Sequence, residues 1–587
     1  MTVCRIEGRA ASLVFLVLGA AWVVFSVGWA ASAQAPPTPL QPPPAASPQA
    51  PPAPPAPAAK PVPSDDVRIQ ALDPFNPDGV GLLEPPEGLG ADTWKGTSRA
   101  RIDELIARLN QPIRLRAGVE LLERLLLSVA TPPAGAGARS FLALRADMLA
   151  AQGDIESAVA LIRAAPAPIA DAAAERLRVD QMLLAADTNG ACGEIGTLVR
   201  TNANPYWQKA QIYCQAAAGQ RDAAALGLDV LREQGQLKDA AFESLARALI
   251  NGREPTIESL PDPTALHLAM VRAARLTPPS ETMQTRDART LAAIANGGST
   301  DLLQRIAAAE RLEAAGVFQA EALARLYDRV PFRDDEFQHA LAIAEAPYGV
   351  RGRALLYRTA ARLKDSTDAR IKVVERALTL ARTHGLYGTA LRTNGAFILG
   401  LTPGPEVSAL AEDGVRAALG GGRVDAAGPW LQLMRTRATP ATRESAASLE
   451  IAMRLAGARG TREGDEVLLK TWLRSRKAGA ETTKRAAVLA ALLDSVRPPE
   501  EPEQWKPPLA SDPAPSARPL LSRELRQAAA GGRKGEVVLL SLNLLAGQDP
   551  TVLDPAVLGL VIPALVDVGL EADARRMAVE IAIAGGT

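Results

Sequence analysis

The sequence is poor in the residues from which most metal and catalytic sites are built. Its 587 residues include three Cys and three His, too few for a Cys/His-rich metal scaffold or a dense disulfide framework. His267, His339 and His384 lie far apart and in no zinc motif. There is also no Walker loop, no Gly-x-Ser-x-Gly elbow and no dinucleotide-binding Gly motif. We therefore assign no catalytic, cofactor-binding or metal-ligating residue, and we do not expect an enzyme.

The chain also has no net charge and few aromatic residues. Lys plus Arg is 65 and Asp plus Glu is 65, and this balance argues against a nucleic-acid partner, which needs surplus cation. The chain is 47% hydrophobic but only 4% aromatic, so its apolar content is mainly Ala, Leu and Val, which favours helix over strand. Amphipathic runs and short Gly/Pro breakers alternate from about residue 97 onward. The sequence therefore predicts an all-α fold with about two dozen helices.

The first two amphipathic runs give definite helix boundaries. Ile102, Leu105 and Leu109 share one helical face. Ser98 precedes this run and can cap it. Pro112 is predicted to start the second helix, because proline suits the first turn of a helix.

One long apolar segment, residues 10–31, follows a basic start. Together with the small-residue site Ala31-Ser32-Ala33 it predicts a secretory signal peptide, residues 1–33, cleaved after Ala33. The alternative is an uncleaved inner-membrane anchor, because the segment is long enough to span a bilayer. The bulk of the protein is exported in either case. A bias of 11 Lys against 54 Arg resembles that of GC-rich bacterial genomes, so we expect a periplasmic or secreted protein.

Proline is concentrated in two segments. Residues 36–63 contain 14 Pro, which excludes helix and sheet and favours an extended polyproline II spacer. Residues 497–519 are also Pro-rich. These features predict five parts: a signal peptide or anchor (1–33), a Pro-rich disordered linker (34–95), a helical-repeat array (96–496), a second Pro-rich linker (497–519) and a C-terminal helical cap (520–587). Whether the cap packs on the array is left open.

A weak repeat marks several predicted helix–helix turns. In AAQGDIESA, Gly153 is followed five residues later by Ala158. The same spacing recurs at Gly219/Ala224, Gly422/Ala427 and Gly569/Ala574, with looser copies at Gly316 and Gly532. Glycine permits the left-handed turn that ends a helix, and a small residue one turn into the next helix lets the two helices pack closely.

The segment GDIESA, residues 153–158, resembles the turn of the tetratricopeptide-repeat superfamily. Gly153 and Gly219 are 66 residues apart, close to two repeats of about 34 residues. The aromatic residue of the family's first helix is mostly missing, so the resemblance implies an irregular α-solenoid of stacked helix hairpins. A globular helical bundle is the alternative. The composition also resembles exported Ala/Pro-rich bacterial chains sometimes labelled antifreeze glycopeptide polyproteins, although Ala-Ala-Thr does not occur.

Two cysteines remain after signal cleavage, Cys192 and Cys214. An oxidising compartment favours their pairing. If the flanking runs form an antiparallel hairpin about residue 203, each Cys lies 11 residues from the turn and the two Cα atoms face each other, as a disulfide requires. The alternative is a reactive thiol pair, but there is no Cys-x-x-Cys motif and no adjacent base.

Tyr206, Trp207 and Tyr213 form the densest aromatic cluster of the predicted array. They could line a ligand groove. The alternative, which is more common for such a stripe, is core packing beside the disulfide.

These features favour an exported, periplasmic helical-repeat scaffold that binds an unknown protein or peptide. No cofactor is expected, and membrane contact would come only from an uncleaved N-terminal segment. One alternative is an envelope enzyme acting on a polymer such as peptidoglycan through a non-standard acidic site; another is a structural or stress-related surface protein. An apolar or aromatic groove would favour a binder, and a deep pocket with convergent buried carboxylates would favour catalysis.

Overall fold

The computed structural model of the chain describes most of the sequence after residue 75. The described residues are 76–165, 171–252, 257, 259–260, 262–276, 278–297, 301–344, 348–436, 440–458, 462–496 and 518–584. The predicted signal peptide, the linker up to residue 75 and residues 497–517 lie outside these ranges.

The described residues form an all-α structure of 27 α-helices with no strand, as the composition predicts. The first ten helices are α1 (Arg99–Arg108), α2 (Arg116–Leu127), α3 (Phe141–Gln152), α4 (Ile155–Arg163), α5 (Ala172–Leu184), α6 (Thr188–Thr201), α7 (Pro205–Ala217), α8 (Arg221–Glu233), α9 (Ala240–Asn251) and α10 (Ala265–Ala273). The next eight are α11 (Ala288–Asn296), α12 (Leu302–Ala314), α13 (Ala320–Asp328), α14 (Asp334–Gln338), α15 (Ala340–Ile343), α16 (Val350–Arg362), α17 (Thr367–Thr383) and α18 (Tyr387–Leu399). The last nine are α19 (Ala411–Gly420), α20 (Val424–Thr436), α21 (Pro440–Leu455), α22 (Arg462–Ser475), α23 (Ala480–Ser495), α24 (Pro519–Ala530), α25 (Lys534–Leu545), α26 (Pro555–Asp567) and α27 (Glu571–Ala584). Among these helices none has the length and apolar character to cross a bilayer.

The start of α1 confirms one predicted boundary, and the start of α2 corrects the other. The Ser98 hydroxyl accepts a hydrogen bond from the Arg101 amide, as expected of an N-cap. Helix α2, however, begins at Arg116, so the predicted start at Pro112 is wrong. The Pro112 carbonyl accepts a hydrogen bond from Gly547 at 2.9 Å, which ties this segment to the C-terminal helices as a loop.

The glycine turns are confirmed at all six predicted positions. Each glycine has a positive φ, from 64° to 99°, which L-residues with a side chain rarely adopt. Each joins two contacting helices, such as α3 and α4 or α26 and α27. In the four close copies of the repeat, the alanine five residues later is fully buried at 0% exposure: Ala158, Ala224, Ala427 and Ala574. Close packing of the second helix is therefore the physical cause of the repeat.

The described residues from Asn76 to Lys95 lie within the segment assigned to the first linker. Two 3-10 turns, Pro77–Gly79 and Ala91–Trp94, lie in this stretch. Trp94 is 2% exposed, and its ring meets that of Phe141 edge-on with centroids 5.2 Å apart. The sequence of this stretch is Gly/Pro-broken, so its docking depends on tertiary contacts rather than on a helical pattern.

A buried arginine fixes this N-terminal stretch to the helices. Arg145 is 1% exposed, and its guanidinium donates hydrogen bonds to four backbone carbonyls, those of Asp78, Val80, Leu126 and Ser128. Within the described ranges no carboxylate forms an ion pair with it, and burial lowers the pKa of Arg145 to about 10.

Helices α5–α10 form an insert with a hydrophobic core of its own. That core includes Leu183, Trp207, Phe242 and Met270. The remaining helices share a second, larger core, to which the first half of α5 also contributes Ala174 and Leu177. Helix α10 returns to pack on α5, and α3 contacts α11 directly. We call α5–α10 the insert, and α1–α4 with α11–α27 the main body.

Three of the last four helices, α24, α25 and α27, contact the first helices of the main body. Helix α25 contacts α1 and α2, and α27 contacts α2, while α21 and α23 contact α27 and α26. Polar contacts cross the same boundary: Lys534 donates to the Leu89 carbonyl, and Asn543 to that of Leu105. The Glu580 carboxylate accepts the amides of Arg116 and Ala117 at 2.7 and 2.8 Å. We call this boundary the seam; it closes the main body on itself.

A buried ion cluster lies beside the seam and joins three distant parts of the chain. The Glu313 side chain on α12 is fully buried. It accepts hydrogen bonds from Arg392 on α18 at 2.5 and 2.9 Å and from Arg116 on α2 at 3.1 Å. Burial on its own would raise the pKa of Glu313, but Arg392 and Arg116 hold it below its usual value. The carboxylate is therefore ionised at neutral pH.

Candidate interaction surface

The predicted cysteine pair lies in the insert, on the adjacent helices α6 and α7. The Cys192 and Cys214 Sγ atoms are 1.97 Å apart, at bonding distance, and the Cα atoms are 5.6 Å apart. The two helices contact each other along the hairpin that the sequence predicts.

The three aromatic residues near the disulfide are buried in the core of the insert. Trp207 and Tyr213 are each 2% exposed and Tyr206 is 9% exposed. The Tyr206 hydroxyl donates to Asp180. The structure thus places them as the core-packing alternative requires, and they do not line an open groove.

Tyrosine–carboxylate–arginine groups recur between packed helices. In each, a tyrosine hydroxyl donates to a carboxylate that also pairs with an arginine. The groups are Tyr206–Asp180–Arg176, Tyr327–Glu310–Arg353 and Tyr387–Asp413–Arg382. Burial raises the pKa of Asp180 and of Asp413, so the neighbouring phenols and guanidiniums compensate charges that are partly or largely removed from water. Their role is to hold helices together.

The Glu310 group lines a small cavity between α12, α13, α16, α17 and α18. Its volume is about 20 Å³, space for about one water molecule. Both Glu310 oxygens are engaged, by Tyr327 at 2.7 Å and by Arg353 at 2.7 and 2.6 Å. This cavity is too small for a sugar ring, and its carboxylate already forms an ion pair with Arg353.

A different arrangement lies on the outside of the main body, where a short segment crosses α16. Phe332 and Phe337 flank the start of α14, and Leu341 and Ile343 belong to α15. Arg351, Arg358 and Arg362 lie on α16 at intervals of seven and four residues, which is one helical face. We call these seven side chains the Phe–Arg surface.

The phenyl rings and guanidiniums of this surface are in direct contact. The Phe332 and Phe337 rings meet edge-on, with centroids 5.7 Å apart. Arg351 lies 4.5 Å from the Phe332 centroid, and Arg362 lies 4.1 Å from that of Phe337. Arg358 lies between them, within 5.8 Å of both centroids. These distances fall in the range of cation–π attraction.

Acidic residues at the start of α14 fix two of the arginines. Glu336 pairs with Arg351 at 2.8 Å, and Asp334 pairs with Arg362 at 3.1 Å. The Arg333 amide and Arg351 hold the pKa of Glu336 below its usual value. Arg358 differs, because its guanidinium donates to the Val330 carbonyl and forms no ion pair within the described residues.

The edge of the Phe–Arg surface is apolar and open to solvent. Leu341 is 40% exposed and Ile343 is 42% exposed. Exposed aliphatic residues beside phenylalanine and arginine are the composition of interface centres, in which aromatic residues and arginine are enriched. The surface therefore presents exposed aliphatic carbon next to guanidinium groups.

Sequence reasoning missed this surface. Its acidic residues, Asp334–Glu336, form the first turn of α14. The signal that sequence reasoning left unused is the pair of phenylalanines, five residues apart in a chain with nine Phe, followed by arginines at helical spacing.

His267 is the one buried histidine among the described residues. Its Nε2 lies 3.1 Å from Asp239, and its Nδ1 accepts from the Thr264 amide. The contacts join α9 to α10. No group of three or more His, Cys, Asp or Glu among the described residues is placed to hold a metal ion.

Comparisons with known proteins give no further assignment. No family model, no curated protein and no solved structure matches this chain.

Proposed function

We propose that this protein is an exported helical-repeat scaffold of the cell envelope, and that its Phe–Arg surface binds a protein or peptide partner. The observation that carries the proposal is the partly exposed, preorganised cluster in which Phe332 and Phe337 pack against three arginines of one face of α16. Contacts within the cluster already restrict the side chains, so binding costs little further conformational entropy.

The arrangement of the helices supports a scaffold of tetratricopeptide-like type. Six left-handed glycine turns join contacting helices, and four of them are followed by a fully buried alanine. The two cysteine sulfurs at bonding distance fit an oxidising compartment such as the periplasm.

The proposed partner is an apolar segment that carries a carboxylate. Leu341 and Ile343 offer apolar contact. Arg358 forms no ion pair in the described part of the chain, although it interacts electrostatically with Asp328. A carboxylate placed near Arg358 would form a charge-assisted hydrogen bond beside the two rings.

The test is affinity capture from the envelope fraction with three matched baits. The first is the unaltered protein, and the second carries Phe337→Ala with Ile343→Ser. The third carries Leu226→Ser with Val230→Ser, which alters the exposed apolar stripe of α8 in the insert, where Leu226 is 67% exposed.

We expect the same specific partner with the first and third baits and a loss of at least about tenfold with the second. Equal recovery with all three baits, or no specific partner with any, would contradict the proposal. Thermal unfolding of the three baits checks that each is folded.

A further inference from the structure

We propose that a groove at the seam binds a small apolar carboxylate, such as the C-terminal residue of a peptide. The groove has a volume of about 450 Å³, within the usual range of small-molecule sites. It lies between residues 83–87, α2 and the start of α27. Leu83, Pro86 and Leu570 line it with apolar surface. This site is separate from the Phe–Arg surface, so it goes beyond the function proposed above.

A buried carboxylate positions two guanidiniums at this groove. Asp573 on α27 is 2% exposed. Both of its oxygens accept from Nη1 of Arg124 on α2, at 2.6 and 2.7 Å. Arg576, one turn further along α27, donates its Nη2 to the same carboxylate. The side chains of both arginines are partly exposed, at 26% and 46%.

The two arginines retain hydrogen-bond donors that nothing in the described part of the chain uses. A guanidinium carries five N–H groups. Nη1 of Arg124 donates to Asp573 and its Nε donates to the Glu87 carbonyl, so its Nη2 is available to a ligand. Nη2 of Arg576 donates to Asp573, so its Nε and Nη1 are available to a ligand. Planar donors of this kind match a carboxylate, and the adjacent apolar lining suits an aliphatic side chain.

The charges around the groove argue for this class of ligand over a bare anion. Two acids, Asp573 and Glu87, balance the two arginines. No net positive field therefore attracts inorganic phosphate, and the apolar contact is needed to reach a measurable affinity.

A ligand in the groove would touch both sides of the seam. It would contact Leu83 and Arg124 from the first part of the main body, and Leu570 and Arg576 from the last. Because such a ligand binds only the closed form, it would raise the midpoint of thermal unfolding.

The experiment is a calorimetric titration with N-acetylleucine, N-acetylleucinamide and inorganic phosphate. The three proteins are the unaltered chain, Arg576→Gln and the control Arg247→Gln, an exposed arginine of the insert. In Arg576→Gln the Asp573 carboxylate keeps Arg124 as its partner, so we expect the variant to remain folded without ligand, with a small decrease in its unfolding midpoint.

We expect the acid to bind at least about tenfold more tightly than the amide or phosphate. We also expect Arg576→Gln to weaken binding of the acid by a similar factor and Arg247→Gln to leave it unchanged. Equal binding of acid and amide, tighter binding of phosphate, an unaffected Arg576→Gln variant or no binding of the acid would overturn the proposal. The acid–amide comparison uses the unaltered chain and so does not depend on the folding of any variant.

Discussion

The insert and the main body are built from similar helix hairpins, yet they are held together by different means. The insert closes over a separate core that contains Trp207 and Phe242, and a disulfide joins two of its helices. The main body has no disulfide among its described residues. Its last helices return to its first ones, and the buried Glu313 cluster lies beside that seam.

The difference follows from the size of each core. A small unit buries a smaller fraction of its surface and gains more from a covalent link. The larger main body instead buries many helix faces at once when its ends meet. The comparison predicts that a substitution in one part leaves the other largely unaffected, because most buried side chains of each part belong to a core of its own and α5 is the helix that contributes to both.

The largest predicted loss of stability in the main body is that of Glu313→Gln. This change removes the counter-charge of Arg116 and Arg392 inside the main body, and we expect a loss of about 3–5 kcal/mol in the free energy of unfolding. Chemical denaturation measures it, and hydrogen exchange should rise in α2, α12 and α18 but not in the insert.

The matched control is Glu481→Gln. Glu481 pairs with Lys484 on the surface and is 80% exposed, so its loss should cost less than about 1 kcal/mol. Equal costs for the two variants would contradict a structural role for the Glu313 cluster.

Removing the disulfide tests how the insert is stabilised. In Cys192→Ser with Cys214→Ser we expect a loss of about 3 kcal/mol by the chain-entropy relation. Faster hydrogen exchange should be confined to α5–α10. If exchange rises equally in α1, α2 and α25, the insert is not an independent core.

A smaller effect is expected at the seam from Gly535→Ala. A Cβ at this position of α25 would lie 2.6 Å from the Trp94 ring and 2.8 Å from the Thr93 carbonyl, so one of the two must move. We expect a cost of about 1–3 kcal/mol, measured by denaturant unfolding.

Gly559→Ala in α26 is the control for that substitution. Its added Cβ meets nothing within 4 Å, and alanine favours helix, so we expect a gain of about 0.5–1 kcal/mol. If both Gly535→Ala and Gly559→Ala lower the free energy of unfolding, the cost at Gly535 does not come from its contacts at the seam.

The smallest effect concerns pH and the insert. Burial alone would raise the pKa of Asp239, but hydrogen bonds from His267, the Phe242 amide and Lys209 hold it well below its usual value. The stability that Asp239 contributes is therefore present above the unfolded-state pKa of about 3.9 and is lost as pH falls toward the folded-state value.

Asp239→Asn keeps the cap of α9, since asparagine is a good N-cap, but removes the titrating group. Its unfolding midpoint relative to the unaltered chain should be lower at pH 7 and should recover toward pH 2. A difference that does not change with pH would contradict this assignment.

Local features of the fold could be predicted from the sequence. The six glycine turns, the Ser98 cap and the pairing distance of Cys192 and Cys214 depend on residues close together in the chain or symmetric about one turn. Helical periodicity also predicts which faces are buried.

Periodicity does not predict which faces meet, and the seam shows why. Helix α2 has no capping side chain of its own at Leu115; its cap is Glu580, more than 450 residues away. A glutamate in an amphipathic run is expected at the surface, so neither Glu580 nor Glu313 stands out. The Phe–Arg surface was missed because its rings lie at the start of α14 and its guanidiniums lie on α16.

The central claim, that the main body closes on itself, is tested most directly by the distance between α1 and α24. Arg101 and Glu524 form an ion pair of 2.7 Å across the seam. Spin labels at Glu104→Cys and Arg523→Cys, with Cys4 replaced by serine, report this separation by pulsed electron resonance. The closed arrangement predicts a single narrow distribution at short distance. An open row of about a dozen hairpins, each about 10 Å from the next, would separate the labels by about 100 Å, and a broad distribution at such distances would contradict closure.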